Sequence, residues 1–140
     1  MNVTELMVGD YVRISGMYKD DKIIRLTAKD LLDIENGGAL SLYIKPIELT
    51  REFFECNGFT YKPNGGIMQL GNFGKDVLIV WHINQGCVGR TPLRLECHNW
   101  RREGMPSMYR SDIKYVHEFQ HILNVCDLYD INNNIKINTL

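Results

Sequence analysis

Apolar residues fall along this chain mostly in short runs, and one stretch alone sustains a helical period. From Ser111 to Asp130, SDIKYVHEFQHILNVCDLYD, a rotation of about 100° per residue gathers Tyr115, Val116, Phe119, Ile122, Leu123 and Cys126 into an arc of roughly 120°. Such a face is wide enough to dock on a sheet. The same rotation turns His117, His121 and Asn124 to the opposite side, toward water. Ser111 or Asp112 supplies a cap at the start, and Asn132 to Asn134 a stop.

The rest of the pattern predicts short strands broken by turns and brief helices. Tyr11 to Ser15 alternates and reads as a strand, Lys22 to Leu26 as a second, and Leu40 to Ile44 as a third. Between them Thr27 caps a helix, Ala28 to Glu35, that Asn36-Gly37-Gly38 stops. Leu49 to Asn57 is a second short helix, with Thr50 as N-cap and Gly58 as its end. Phe59 to Lys62, Ile67 to Leu70, Asp76 to Ile83 and Leu93 to His98 read as antiparallel strands joined by glycine-rich turns, and Asn134 to Asn138 as an edge strand. The expected fold is one α+β domain over residues 1–140. In it an antiparallel sheet carries the long C-terminal helix on one face, and short strands with tight turns form a small curled N-terminal β part of SH3-like kind.

Composition narrows the classes of function. A chain of 140 residues buries about two-thirds of its unfolded surface, so neither disulfide nor metal is required for stability. The net charge of −1 offers no global attraction to nucleic acid or membrane. No basic segment followed by an apolar run opens the chain, and the longest apolar run, Val77 to Trp81, is far too short to span a bilayer. The expectation is a cytoplasmic protein with no membrane partner. Cys56, Cys87, Cys97 and Cys126 lack C-x-x-C spacing and are expected as free thiols packed like small apolar groups.

One stretch carries a catalytic signature. His117-Glu118-Phe119-Gln120-His121 is the H-E-x-x-H of zinc proteases, two imidazoles one helical turn apart beside a carboxylate that could deprotonate a zinc-bound water. Such a site needs a third ligand. No histidine follows His121, and the best candidate is Asp127, since His117 to Asp127 resembles the extended metzincin motif with Asn124 in place of its glycine. Asn tolerates the left-handed turn that would swing Asp127 back. Against it, the apolar period continues through Leu123 and Cys126, and no methionine follows Met108 to supply a Met-turn. In an unbroken helix Asp127 lies about 15 Å along the axis from His117, too far to share an ion.

Three other patterns bear on chemistry. From Arg90 to Lys114, six basic residues (Arg90, Arg94, Arg101, Arg102, Arg110, Lys114) face three acidic ones (Glu96, Glu103, Asp112), with His98, Trp100 and Tyr109 between them. Basic groups beside aromatic rings are the composition of a nucleic-acid surface, and of a surface loop around Arg101 to Met108 as well. Cys97-His98 with Cys87 and His82 lacks ligand pairs at zinc-finger spacing. Gly74-Lys75 fails as a phosphate loop, because Gln69 stands where the first glycine belongs and Asp76 where Ser or Thr belongs.

Three stretches together resemble a known group of proteins: Leu6-Met7-Val8-Gly9-Asp10-Tyr11-Val12, then Lys45-Pro46-Ile47-Glu48-Leu49-Thr50 leading to Asn57-Gly58-Phe59, then Ile113-Lys114-Tyr115-Val116-His117-Glu118-Phe119-Gln120-His121. They are similar to a family of uncharacterised small proteins encoded by gut bacteria, their phages and mobile elements, with the patterns L-R-I-G-N-x-V, K-P-I-P-L-T-E-E-W-L-L-K-F-G-F and K-Y-V-H-Q-L-Q-N. The resemblance implies no activity. It does imply that Glu118 and His121 stand where relatives carry Gln and Asn, so that the protease signature is a coincidence on a structural helix. The resulting expectation is a non-enzymatic accessory or interaction module with an unknown protein partner, no cofactor, and no assigned catalytic, cofactor-binding or metal residue.

Overall fold

The computed structural model describes residues 5–72, 75–83, 94–101 and 107–137. The fold is α+β, with antiparallel sheets of three and five strands and five helices among the described residues. The chain divides into two compact units: residues 1–48 with 115–117 and 140, and residues 49–114 with 118–139. None of the helices among the described residues is long and apolar enough to cross a membrane.

In the first unit, β1 (Tyr11–Ile14) pairs antiparallel with β2 (Lys22–Arg25) on one side and with β3 (Ile44–Lys45) on the other. Alternation in β1 buries Val12 and Ile14, and around them Leu6, Leu26, Ile34 and Ile44 close a small core. Between the strands lies α1 (Ala28–Glu35), held at its start by a capping box. The Asp30 N–H donates to Thr27 Oγ1 at 3.2 Å, and the Thr27 N–H donates to the Asp30 carboxylate at 2.9 Å. The expected third strand at Leu40 to Ile44 is instead a helical turn, α2 (Leu40–Tyr43), running straight into β3. The Gly38 carbonyl accepts both the Ser41 N–H at 3.0 Å and the Ser41 hydroxyl at 2.7 Å, a local wrap that competes with extension.

The second unit opens with α3 (Arg51–Cys56), whose N-cap Thr50 accepts the Phe53 N–H at 3.1 Å. Gly58, at φ +86°, carries the chain out of it in a left-handed turn that favours glycine. A five-stranded meander follows, in the order β4 (Thr60–Lys62), β5 (Ile67–Gly71), β6 (Val77–His82), β7 (Arg94–Asn99) and β8 (Ser107–Asp112). The continuous apolar run Val77 to Trp81 is the central strand, buried on both faces, which is why it does not alternate. Around Phe54, fully buried, an aromatic cluster forms: Trp81 stacks on it with centroids 4.6 Å apart, and Phe53, Phe59 and Phe119 meet it edge-on.

The C-terminal part departs most from expectation. Ser107 to Asp112 is a strand paired along its whole length with β7, so Ser111 and Asp112 cap no helix. The helix is α4 (Val116–Val125), with α5 (Tyr129–Asn133) after it; residues 134–137 form no strand, and Asn138 lies outside the described residues. Val116, Phe119, Ile122, Leu123 and Cys126 are buried as the period predicts. His117, which the period turns toward water, is buried too, as is Gln120. What stops α4 is a left-handed residue, Asp127 at φ +59°. The Leu128 N–H reaches back to the Leu123 carbonyl at 2.8 Å and the Asp127 N–H to Asn124 at 3.1 Å, the paired bonds of a Schellman ending.

Candidate functional site

The protease signature lies at the start of α4, where each described member of it has work in the fold. His117 is 3% exposed, and its ring stacks on Tyr115 with centroids 5.7 Å apart and planes 10° from parallel. Glu118 accepts the Lys114 N–H at 3.0 Å, so its carboxylate satisfies backbone at the helix start, where a negative charge is also favoured by the helix dipole. Gln120, fully buried, donates to Asn132 Oδ1 at 3.0 Å, and Asn132 Nδ2 donates to Asn124 Oδ1 at 2.9 Å. This chain of amides ties α4 to α5, as buried polar groups require. Asn124, where a metzincin would break, is helical, and the chain reverses only at Asp127. Among the described residues no group of three or more His, Cys, Asp or Glu side chains is placed to hold a metal ion.

The second candidate, Cys97-His98 with Cys87 and His82, is rearranged by the sheet. Strand alternation turns Cys97 into the buried face and leaves Glu96 and His98 on the other, while Cys87 lies outside the described residues. What gathers there is a cluster around Glu96. Its carboxylate has His82 Nε2 at 3.5 Å and Arg110 Nε at 3.0 Å on one oxygen, and His98 Nε2 at 3.7 Å on the other. The register explains it. Val80, Glu96 and Arg110 form one row across β6, β7 and β8, and the two histidines approach from either side of that row. His98 is steadied by stacking on Trp100 at 5.3 Å. At these distances the imidazoles flank the carboxylate without well-formed hydrogen bonds to it. Sequence spacing gave no sign of this convergence, because it depends on which residues of neighbouring strands stand opposite.

The basic stretch is partly spent inside the chain. Arg94 lies 3.9 Å from Asp112, Arg110 meets Glu96, and Arg101 donates to Asp130 at 2.8 Å. Arg90, Arg102 and Glu103 lie outside the described residues. Asp130 is held below the usual carboxylate range by the hydrogen bond from Arg101, and the same bond raises Arg101.

Two thiols form the remaining chemical feature. Cys97 on β7 and Cys126 at the end of α4 are both buried, and Cys126 Sγ lies 3.9 Å from the Cys97 carbonyl oxygen. The hydrogen bond between the thiols, together with burial, pushes Cys97 well above the ordinary thiol range, and the same hydrogen bond lowers Cys126.

Two hollows lie near the C-terminal end of the second unit. One, about 230 Å³, is floored by Phe59, Leu70 and Phe119 and rimmed by Asn57, Asp130 and Asn134. Asn57 beside it clamps the backbone of Lys136 as a neighbouring strand would, donating to its carbonyl at 2.9 Å and accepting its N–H at 2.7 Å. Compared with protein-family models, curated proteins and solved structures, the chain matches none.

Proposed function

We propose that this protein is a small accessory module that acts by binding a protein partner and not by catalysis, as its resemblance to the gut-bacterial and mobile-element family implies. The observation that carries the reading is the engagement of the protease signature in the fold. His117 is packed against Tyr115, Glu118 is bonded to backbone, and Gln120 sits within a buried amide chain. A general base must be available to the water it activates, and Glu118 here supports a helix start.

In this reading α4 covers one face of the five-stranded sheet. Cys126 touches Cys97 of β7, and Asn99 of β7 donates to the Cys126 carbonyl at 2.7 Å, both contacts on the buried face. The three-stranded first unit takes the place of the SH3-like part, its strands short. A cytoplasmic location accords with the free thiols.

The deciding experiment measures zinc in protein purified without chelator, alongside turnover of a denatured general protease substrate. The accessory reading expects substoichiometric zinc and no turnover. One tight zinc per chain, lost in His121→Ala as well as in His117→Ala, would establish the protease instead; His121 is only half-buried, so its loss separates ligation from misfolding. The nucleic-acid reading rests on the Arg90 to Lys114 stretch and has its own signature. Binding of a polynucleotide would weaken steeply with salt and again on neutralising Arg101 and Arg102.

A further inference from the structure

We propose that Cys97 and Cys126 are an oxidative modification site, a buried dithiol that a peroxide converts into an intramolecular disulfide tying β7 to the end of α4. The observations are geometric. Both residues belong to the second unit, on elements whose backbones are already fixed against each other by the 2.7 Å bond from Asn99 to the Cys126 carbonyl. Cys126 Sγ lies against the Cys97 backbone at 3.9 Å, and both side chains are at most 1% exposed. The Cys126 thiol thus lies against Cys97 between β7 and the end of α4, the proximity that a disulfide joining them requires.

The thiols are unequal, and the inequality sets the order of events. Cys126, lowered by its hydrogen bond with Cys97, is the better source of thiolate, the reactive form. Its thiolate attacks one peroxide oxygen; the O–O bond breaks, hydroxide leaves and Cys126 becomes a sulfenic acid. The Cys97 sulfur then attacks the Cys126 sulfur, the S–O bond breaks and a second hydroxide leaves. With the two thiol protons the sum is two thiols and one hydrogen peroxide giving one disulfide and two waters, two electrons passing from sulfur to oxygen.

Access comes through the helix end. Cys126 is buried, yet Val125 before it is 63% exposed and Asp127 after it is exposed and in a left-handed conformation. Peroxide reaches the Cys126 thiol by local opening of this turn, which breaks the Asn99 bond to the Cys126 carbonyl.

The test treats the reduced protein with hydrogen peroxide, quenches it, and denatures it in N-ethylmaleimide before mass analysis. The expected product is lighter by two hydrogens and carries two fewer maleimides. Trypsin should yield residues 95–101 linked to residues 115–136, separable by reductant, and the oxidised protein should melt several degrees higher than the reduced one. Recovery of both Cys97 and Cys126 fully alkylated after peroxide has consumed Cys56 would overturn the proposal. So would a disulfide joining either of them to Cys56 or Cys87 in place of each other. The measurement uses the unaltered chain, so no variant has to fold for the answer to be read.

Discussion

Single side chains in this protein are occupied by their immediate neighbours more than their residue types suggest. The helical period turns His117 toward water, yet it is buried against Tyr115, and Gln120 is buried within a run of amides. Leaving the Gln120 amide unpaired would cost about 1–3 kcal/mol, so its bond to Asn132 helps hold α4 against α5. Asp130 shows the same economy at the surface. Its carboxyl is depressed below its unfolded value, near 3.9, so its contribution to stability is present above that pH and is lost as pH falls through the lower folded value. The Arg101 and Asp130 side chains are 41% and 56% exposed, and solvent screening limits the pair to at most about 0.5 kcal/mol. Arg101→Met should therefore raise the Asp130 carboxyl toward the ordinary range with little change in melting temperature. A carbon-detected NMR titration that leaves Asp130 where it was would show that Arg101 is not the cause.

Among the elements, those with local stop and start signals follow the sequence. Thr27 with Asp30 sets α1 and Thr50 sets α3, because a cap bond needs residues three apart and nothing else. The end of α4 had no such signal, since a left-handed position is commonly glycine and here is aspartate. Asp127→Gly should stabilise the protein by about 0.5–1 kcal/mol by relieving that conformation, and Asp127→Val should destabilise it by about 1–2 kcal/mol. Urea unfolding that ranks the glycine variant below the parent would mean that the Asp127 side chain contributes more than its strained backbone costs. The turn matters for chemistry as well: it fixes where α4 stops and therefore where Cys126 sits.

In the molecule as a whole, burial is concentrated around the aromatic group of the second unit, while the first unit closes on a few aliphatic side chains. Phe54 touches four other rings and is fully buried, so Phe54→Ala should cost about 3–5 kcal/mol. Leu42→Ala, at a site 73% exposed, should change stability by less than about 0.5 kcal/mol. Thermal melts of the two variants that shifted equally would contradict this picture of the core.

The α+β class, the strands β1, β2 and β4 to β7, and the caps of α1 and α3 could be read from the chain alone, because each follows from residues within a few positions of one another. Only the tertiary structure decided that Ser107 to Asp112 extends the sheet, that Leu40 to Tyr43 coils, that His117 and Gln120 are inside, and that Glu96 collects His82, His98 and Arg110. Apart from the Leu40 to Tyr43 turn, which wraps locally onto Gly38, these depend on partners further along the chain, and the pairing of distant segments leaves no mark in local periodicity. The meeting of Cys97 with Cys126 is of the same kind: two thiols 29 positions apart become neighbours only once β7 and the end of α4 have found their places.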